Sequence, residues 1–116
     1  MRSDEEISEE LRKASLGLFY MSESDYPFEL IRWDGRTEIT SEFLRSVASQ
    51  PTDCPVQETD FEAFLSGRYQ NLAQLMESNL SNLKVYKVGR INMPVYVVGR
   101  SPEGSWLGIS TRVVET

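Results

Sequence analysis

The chain has 116 residues, 40% of them hydrophobic, and carries 18 acidic against 12 basic side chains with a formal net charge of −6. That length suits one domain, residues 1–116, built on a single core, and no apolar run approaches the roughly 20 residues that span a bilayer. There is no histidine and only one cysteine, which excludes Ser-His and Cys-His nucleophilic pairs and every common zinc ligand set; carboxylate-only magnesium or calcium sites and glycosidase-like acid pairs stay open.

Ser3 followed three residues later by Glu6 is a capping box, so the first helix is expected to open there. Ile7, Leu11, Ala14 and Leu18 then recur as one apolar face, and Asp4, Glu5 and Glu6 place negative charge where the helix dipole favours it. Gly17 is the expected stop, with Leu18-Phe19-Tyr20 as an optional extension. Next comes Met21-Ser22-Glu23-Ser24-Asp25-Tyr26-Pro27-Phe28-Glu29, which reads as a short acidic loop; Pro27 ends any helix before it. The loop sets Glu23 and Asp25 among the hydroxyls of Ser22 and Ser24. Such a grouping either hydrogen-bonds its own backbone or offers negative charge to a basic or metal-loaded partner.

Phe28 to Trp33 reads as a strand whose buried face is ambiguous, and Asp34-Gly35 as a turn. Thr40 caps an expected second helix through about Gln50, with Ile39 and Leu44 placed as a hydrophobic staple and Phe43, Leu44, Val47 and Ala48 as its apolar side. Residues 51–59 form a connector with a short strand at Val56-Gln57-Glu58. Asp60 caps a turn carrying Phe61 and Phe64, and Gly67 separates it from a third helix over Tyr69 to Leu80, whose spacing extends through Leu72, Leu75, Met76, Leu80 and Leu83. The remainder reads as a meander of three strands, Lys84–Gly89, Pro94–Gly99 and Trp106–Val114, with Ser101-Pro102-Glu103-Gly104 as a type I turn. Val95-Tyr96-Val97-Val98 is apolar on both faces, so the antiparallel sheet must be covered on both sides, which two or three helices on either side would satisfy. The fold class is therefore α+β. The last strand runs almost to the chain end and would hold Glu115 and Thr116 in place.

Residues 1–66 carry 15 acids and 6 bases, and residues 67–116 carry 3 acids and 6 bases. An acidic first half argues against a nucleic-acid partner and favours a basic protein, although the same acids also keep a domain soluble. The polar, acidic N-terminus is unlike a signal or transit peptide, and the lone Cys54 suits a reducing compartment. The expectation is a cytoplasmic protein with no membrane contact, monomeric when free. Cys54 has no histidine to activate it and reads as a packing residue.

Ala14-Ser15-x-Gly17-Leu18-x-x-Met21-Ser22-Glu23-Ser24-x-Tyr26-Pro27-Phe28-Glu29 resembles the front of the cyanobacterial nuclease A inhibitor-like family. Ser78-Asn79-Leu80, Val85-Tyr86, Val95-Tyr96-Val97 and the ending Gly108-Ile109-Ser110-Thr111-Arg112-Val113-Val114-Glu115-Thr116 are similar to it as well. The resemblance implies an α-β-α sandwich with a largely antiparallel sheet, similar to the pathogenesis-related protein 1 fold. It also implies a non-catalytic inhibitor of a sugar-non-specific, magnesium-dependent DNA/RNA endonuclease. Carried over by position, Glu23 would enter the nuclease site where a scissile phosphate lies, with Ser22, Ser24, Asp25 and Glu115 around the contact. Thr116 would meet the catalytic magnesium through its hydroxyl; that metal belongs to the nuclease, and the chain needs no cofactor of its own.

One departure stands out. The family's inhibitor has a longer middle segment with an Asp-Trp pair, whereas residues 60–72 here are shorter and contain no tryptophan. Trp33 and Trp106 read as packing residues instead. The departure leaves room for a second reading, a protein-interaction module of the same fold that binds another basic protein. A third, hydrolysis by Glu23, Asp25 or Glu29 as paired carboxylates, is disfavoured because those residues are too close in sequence to flank a substrate.

Overall fold

The computed structural model describes residues 3–21, 25–33, 39–50, 54–65 and 67–114. Helix α1 spans Asp4–Ser15 and carries the expected capping box: Ser3 Oγ accepts the Glu6 N–H, and Glu6 Oε1 accepts the Ser3 N–H, both at 3.2 Å. The Asp4 N–H is satisfied from far along the chain, donating to Glu103 Oε1 at 2.6 Å. First-turn N–H groups have no partner within a helix, so this bond ties α1 to the turn that holds Glu103.

The chain after α1 corrects the reading of residues 18–29. Phe19–Met21 is a strand, β1, rather than a helical extension, and Asp25–Pro27 is a second strand, β2. They pair antiparallel with Phe19 opposite Pro27, Tyr20 opposite Tyr26 and Met21 opposite Asp25. The described residues of the expected loop are thus mostly strand, Met21 in β1 and Asp25–Pro27 in β2, and Pro27 ends a strand, not a helix. Strand β3, Glu29–Trp33, follows; Ile31 is 7% exposed and Leu30 41%, which settles its faces. The expected turn at Asp34-Gly35 lies outside the described residues.

Helix α2 covers Ser41–Val47, with Thr40 Oγ1 accepting the Phe43 N–H at 3.1 Å. It stops short of Gln50. The Gln50 N–H returns to Arg45 O at 2.8 Å and the Ser49 N–H to Ser46 O at 3.1 Å, with Ser49 at φ 56°. This is a Schellman stop with serine where glycine is usual, so the sequence carries no glycine signal for it. Strand β4 is Val56–Thr59, helix α3 is Phe61–Phe64 and helix α4 is Gln70–Asn79, preceded by a single 3₁₀ turn at Gly67–Tyr69. Leu83 does not continue α4. It belongs to strand β5, Ser81–Val88, which starts three residues earlier than expected through a bulge at Asn82, φ 51°. Strands β6, Asn92–Arg100, and β7, Trp106–Val114, complete the meander. Their turn closes with the Gly104 N–H on Ser101 O at 3.0 Å, the bond of a type I turn.

The main sheet has five antiparallel strands in the order β3-β7-β6-β5-β4, and the β1-β2 hairpin forms its own two-stranded sheet. The expected single core is split by the sheet into two. On one face, Ile7 and Leu11 of α1, Phe61 and Phe64 of α3, and Leu72 and Met76 of α4 pack on Val85, Val95, Val97, Leu107 and Ile109. On the other, Leu44 of α2 and Cys54 pack on Ile31, Val88, Val98 and Trp106. Val95, Val97 and Val98 are fully buried and Tyr96 nearly so, as a strand covered on both sides requires. Each buried Leu, Ile or Met side chain of these layers contributes roughly 2 kcal/mol. Trp33 stands edge-on to Phe43 at 4.8 Å, and Trp106 lies under the Arg100 guanidinium; both are packing residues. Among the described residues no helix is long and apolar enough to cross a membrane.

Candidate functional site

Of the six residues singled out by the sequence, Ser22, Glu23, Ser24, Glu115 and Thr116 lie outside the described residues. Asp25 is described as the first residue of β2, paired with Met21. What the structure describes is the frame from which these residues leave. Residues 22–24 connect Met21 to Asp25, and residues 115–116 follow Val114 at the end of β7.

The two points of departure belong to neighbouring elements. Glu29 is paired with Ser110, and β3 runs from there toward Trp33 opposite Trp106. The chain that precedes Glu29 therefore lies beside the C-terminal part of β7. A long-range hydrogen bond marks the contact: Thr111 Oγ1 donates to the Tyr26 carbonyl oxygen at 3.3 Å. Phe28, between β2 and β3, is 9% exposed within the larger core and meets the Tyr69 ring edge-on at 5.7 Å. The hairpin is thus held at its base by an apolar anchor and along one arm by a hydroxyl.

β7 is held on its other side too. Val114 is opposite Asn92, and Arg112 Nη1 donates to Asn92 Oδ1 at 3.0 Å. The strand stays paired to the last described residue, so the frame of the chain end does not fray before Val114. A shallow cleft of about 260 Å³ lies between hairpin and sheet, lined by Tyr26, Pro27, Glu29, Pro94, Tyr96, Ser110, Thr111 and Arg112. Burial pushes the Tyr96 hydroxyl above its ordinary pKa, an effect the Arg112 guanidinium partly opposes. Among the described residues no group of three or more His, Cys, Asp or Glu side chains could hold a metal ion.

Sequence reasoning missed Thr111, Tyr26 and Phe28 as the residues that place the hairpin. Three-residue arms joined through the sequence Ser-Glu-Ser carry none of the Asn-Gly or Gly-rich marks of a tight hairpin. Phe28 directly after Pro27 was the available signal, since a large aromatic beside an acidic stretch needs somewhere to pack.

The stretch from Asp60 to Leu72, which contains no tryptophan, runs through α3, the 3₁₀ turn and the start of α4. There a second groove, of about 370 Å³, is lined by Glu62, Leu65, Gly67, Gln70, Ala73, Gln74 and Glu77. A family model described as nuclease A inhibitor-like protein matches residues 5–68 and 65–116. The two matched stretches overlap at residues 65–68, between α3 and α4. No curated protein matches the chain.

Proposed function

The chain belongs to the nuclease A inhibitor-like family, and on that premise we propose that it is a protein inhibitor of a sugar-non-specific, magnesium-dependent DNA/RNA endonuclease. The reading is of a plug in two parts. Glu23, flanked by Ser22, Ser24 and Asp25, stands in for the scissile phosphate. Thr116 reaches the nuclease's magnesium through its hydroxyl, and Glu115 beside it contacts the nuclease. A carboxylate reproduces one negative charge of a phosphate and pairs with the same basic residues, and magnesium keeps positions open to hard oxygen donors. Neither contact asks the inhibitor to perform chemistry, so it acts without catalysis or cofactor of its own; the magnesium is the nuclease's.

The observation that carries this reading is the contact of the β1-β2 hairpin with the C-terminal part of β7 through Thr111 and Tyr26. It starts both parts of the plug from one side of the molecule. The acidic first half adds long-range attraction toward a basic active site. The reading further takes residues 1–116 as one domain, similar to the pathogenesis-related protein 1 fold, acting as a cytoplasmic monomer without nucleic-acid or membrane contact of its own.

The test is a protection assay with sugar-non-specific endonucleases from the same source, loaded with magnesium. Inhibition at micromolar protein, with one inhibitor bound per nuclease, is expected; full activity of every such nuclease refutes the reading. The absence of tryptophan between Asp60 and Leu72 favours one alternative, an interaction module binding another basic protein. Capture from native lysate of that protein, and of no nuclease, would be its signature.

A further inference from the structure

We propose that the cleft between the hairpin and the sheet is a further seat for the nuclease, taking a lysine or arginine side chain from the rim of its active site onto Glu29; the inference rests on the inhibitor reading above. A stable protein–protein interface buries about 800 Å² per partner, drawn from roughly 20–30 residues. Residues 22–24 and 115–116 alone supply a fraction of that, so the surface between their roots is covered as well. The cleft is that surface. Tyr26 on one wall follows Asp25, and Arg112 on the other is two residues before Val114. Its volume of about 260 Å³ lies below the roughly 300–1,000 Å³ of small-molecule pockets and suits one long side chain.

The chemistry of the lining selects a cation. Glu29 is opposite Ser110, and Ser110 is opposite Tyr96 on the next strand. Opposed residues share a face with their Cβ atoms about 5 Å apart, so one carboxylate and two hydroxyls line the cleft as a row of acceptors. Pro27 and Pro94 add apolar surface for a methylene stem. Glu29 is exposed and makes no ion pair among the described residues. Arg112, the cation of the lining, donates instead to Asn92 Oδ1 at 3.0 Å. An enzyme that cleaves nucleic acid holds the phosphates beside the scissile one largely with Lys and Arg, and a carboxylate next to the plug meets the same groups. The walls are already set by folding: Tyr96 is 7% exposed, and Thr111 Oγ1 holds the Tyr26 carbonyl. Little ordering remains to oppose the contact.

The test measures association and dissociation rates of the full chain with its magnesium-loaded nuclease. Glu29→Gln keeps the shape and removes the charge. Glu77→Gln removes the same charge from α4, outside the lining of the cleft. We expect Glu29→Gln to weaken inhibition about tenfold, the worth of a hydrogen bond to a charged group, mainly through faster dissociation, and Glu29→Lys to weaken it further. Glu77→Gln should slow association by about twofold or less and leave dissociation unchanged, as loss of long-range attraction does. Dissociation is read from complex already formed, so a partly unfolded variant does not mimic the effect. Dissociation of Glu29→Gln at the wild-type rate, or equal acceleration in Glu29→Gln and Glu77→Gln, overturns the inference and leaves the inhibitor reading standing. A wild-type chain that inhibits no such nuclease removes both.

Discussion

Gly108 offers the sharpest test of the sheet that presents the proposed plug. It lies in the middle of β7, opposite Val98 on one side and Ile31 on the other. A Cβ placed there would stand 1.8 Å from Val97 O, 2.8 Å from the Val97 carbonyl carbon and 2.9 Å from Val98 Cα. All three are backbone atoms of the adjacent strand, so no side chain can swing aside. The strands would have to part by more than an ångström, breaking ladder hydrogen bonds worth about 1 kcal/mol each and adding overpacking strain of roughly 1–3 kcal/mol. At an unencumbered strand position Gly→Ala stabilises by roughly 0.5–1 kcal/mol, so the sign itself is diagnostic. Gly108→Ala should cost about 3 kcal/mol or more, which for a chain of this size lowers Tm by roughly 10 °C. Thermal and urea unfolding followed by circular dichroism measures it. A variant as stable as the wild type, or more so, would mean that β6 and β7 do not pair in this register.

Further outcomes follow from single contacts. Glu103→Ala removes the acceptor for the buried Asp4 N–H and should cost about 1–2 kcal/mol in urea unfolding, with Glu103→Gln recovering most of it. Ser49→Gly relieves a left-handed residue at the end of α2 and should stabilise by up to about 1 kcal/mol; destabilisation would argue against that helix stop. Burial raises the hydroxyl pKa of both Tyr96 and Tyr86, so the folded state disfavours their ionised forms. The resulting stability is fully present below the unfolded tyrosine value of 10.0 and is lost as pH rises through the higher folded values. Urea midpoints should fall above that pH, and less steeply in Tyr96→Phe. Cys54 is buried, so its thiol should react with an aromatic disulfide reagent only at the rate of unfolding; immediate labelling of the native protein would contradict the second core.

Much of the fold was legible because it is written in local patterns. Ser3 and Glu6 announce α1, and the unbroken apolar run at Val95–Val98 requires cover on both faces of the sheet, which the helices supply. The strand Trp106–Val114 was legible to its ends. Local reading failed where a distant partner decides. Phe19–Met21 is strand because it pairs with Asp25–Pro27 and lies against β7, and no periodicity fits in three residues. Leu83 keeps helical spacing with Leu80 and Met76, yet α4 ends at Asn79 and β5 begins at Ser81, with a bulge at the left-handed Asn82. The frame of the candidate site was less legible still. Thr111 and Tyr26 meet across 85 residues, and nothing in either residue's neighbourhood names the other.

The central claim is that two segments, one around Glu23 and one at Thr116, carry the inhibition. Its most direct test is the inhibition constant of purified Glu23→Ala and of the chain lacking Thr116, each against the magnesium-loaded nuclease, with Tm recorded for both. The account predicts that each change weakens inhibition by about tenfold or more while Tm stays at the wild-type value, as expected for truncated interface anchors. Inhibition equal to wild type in both variants would contradict it.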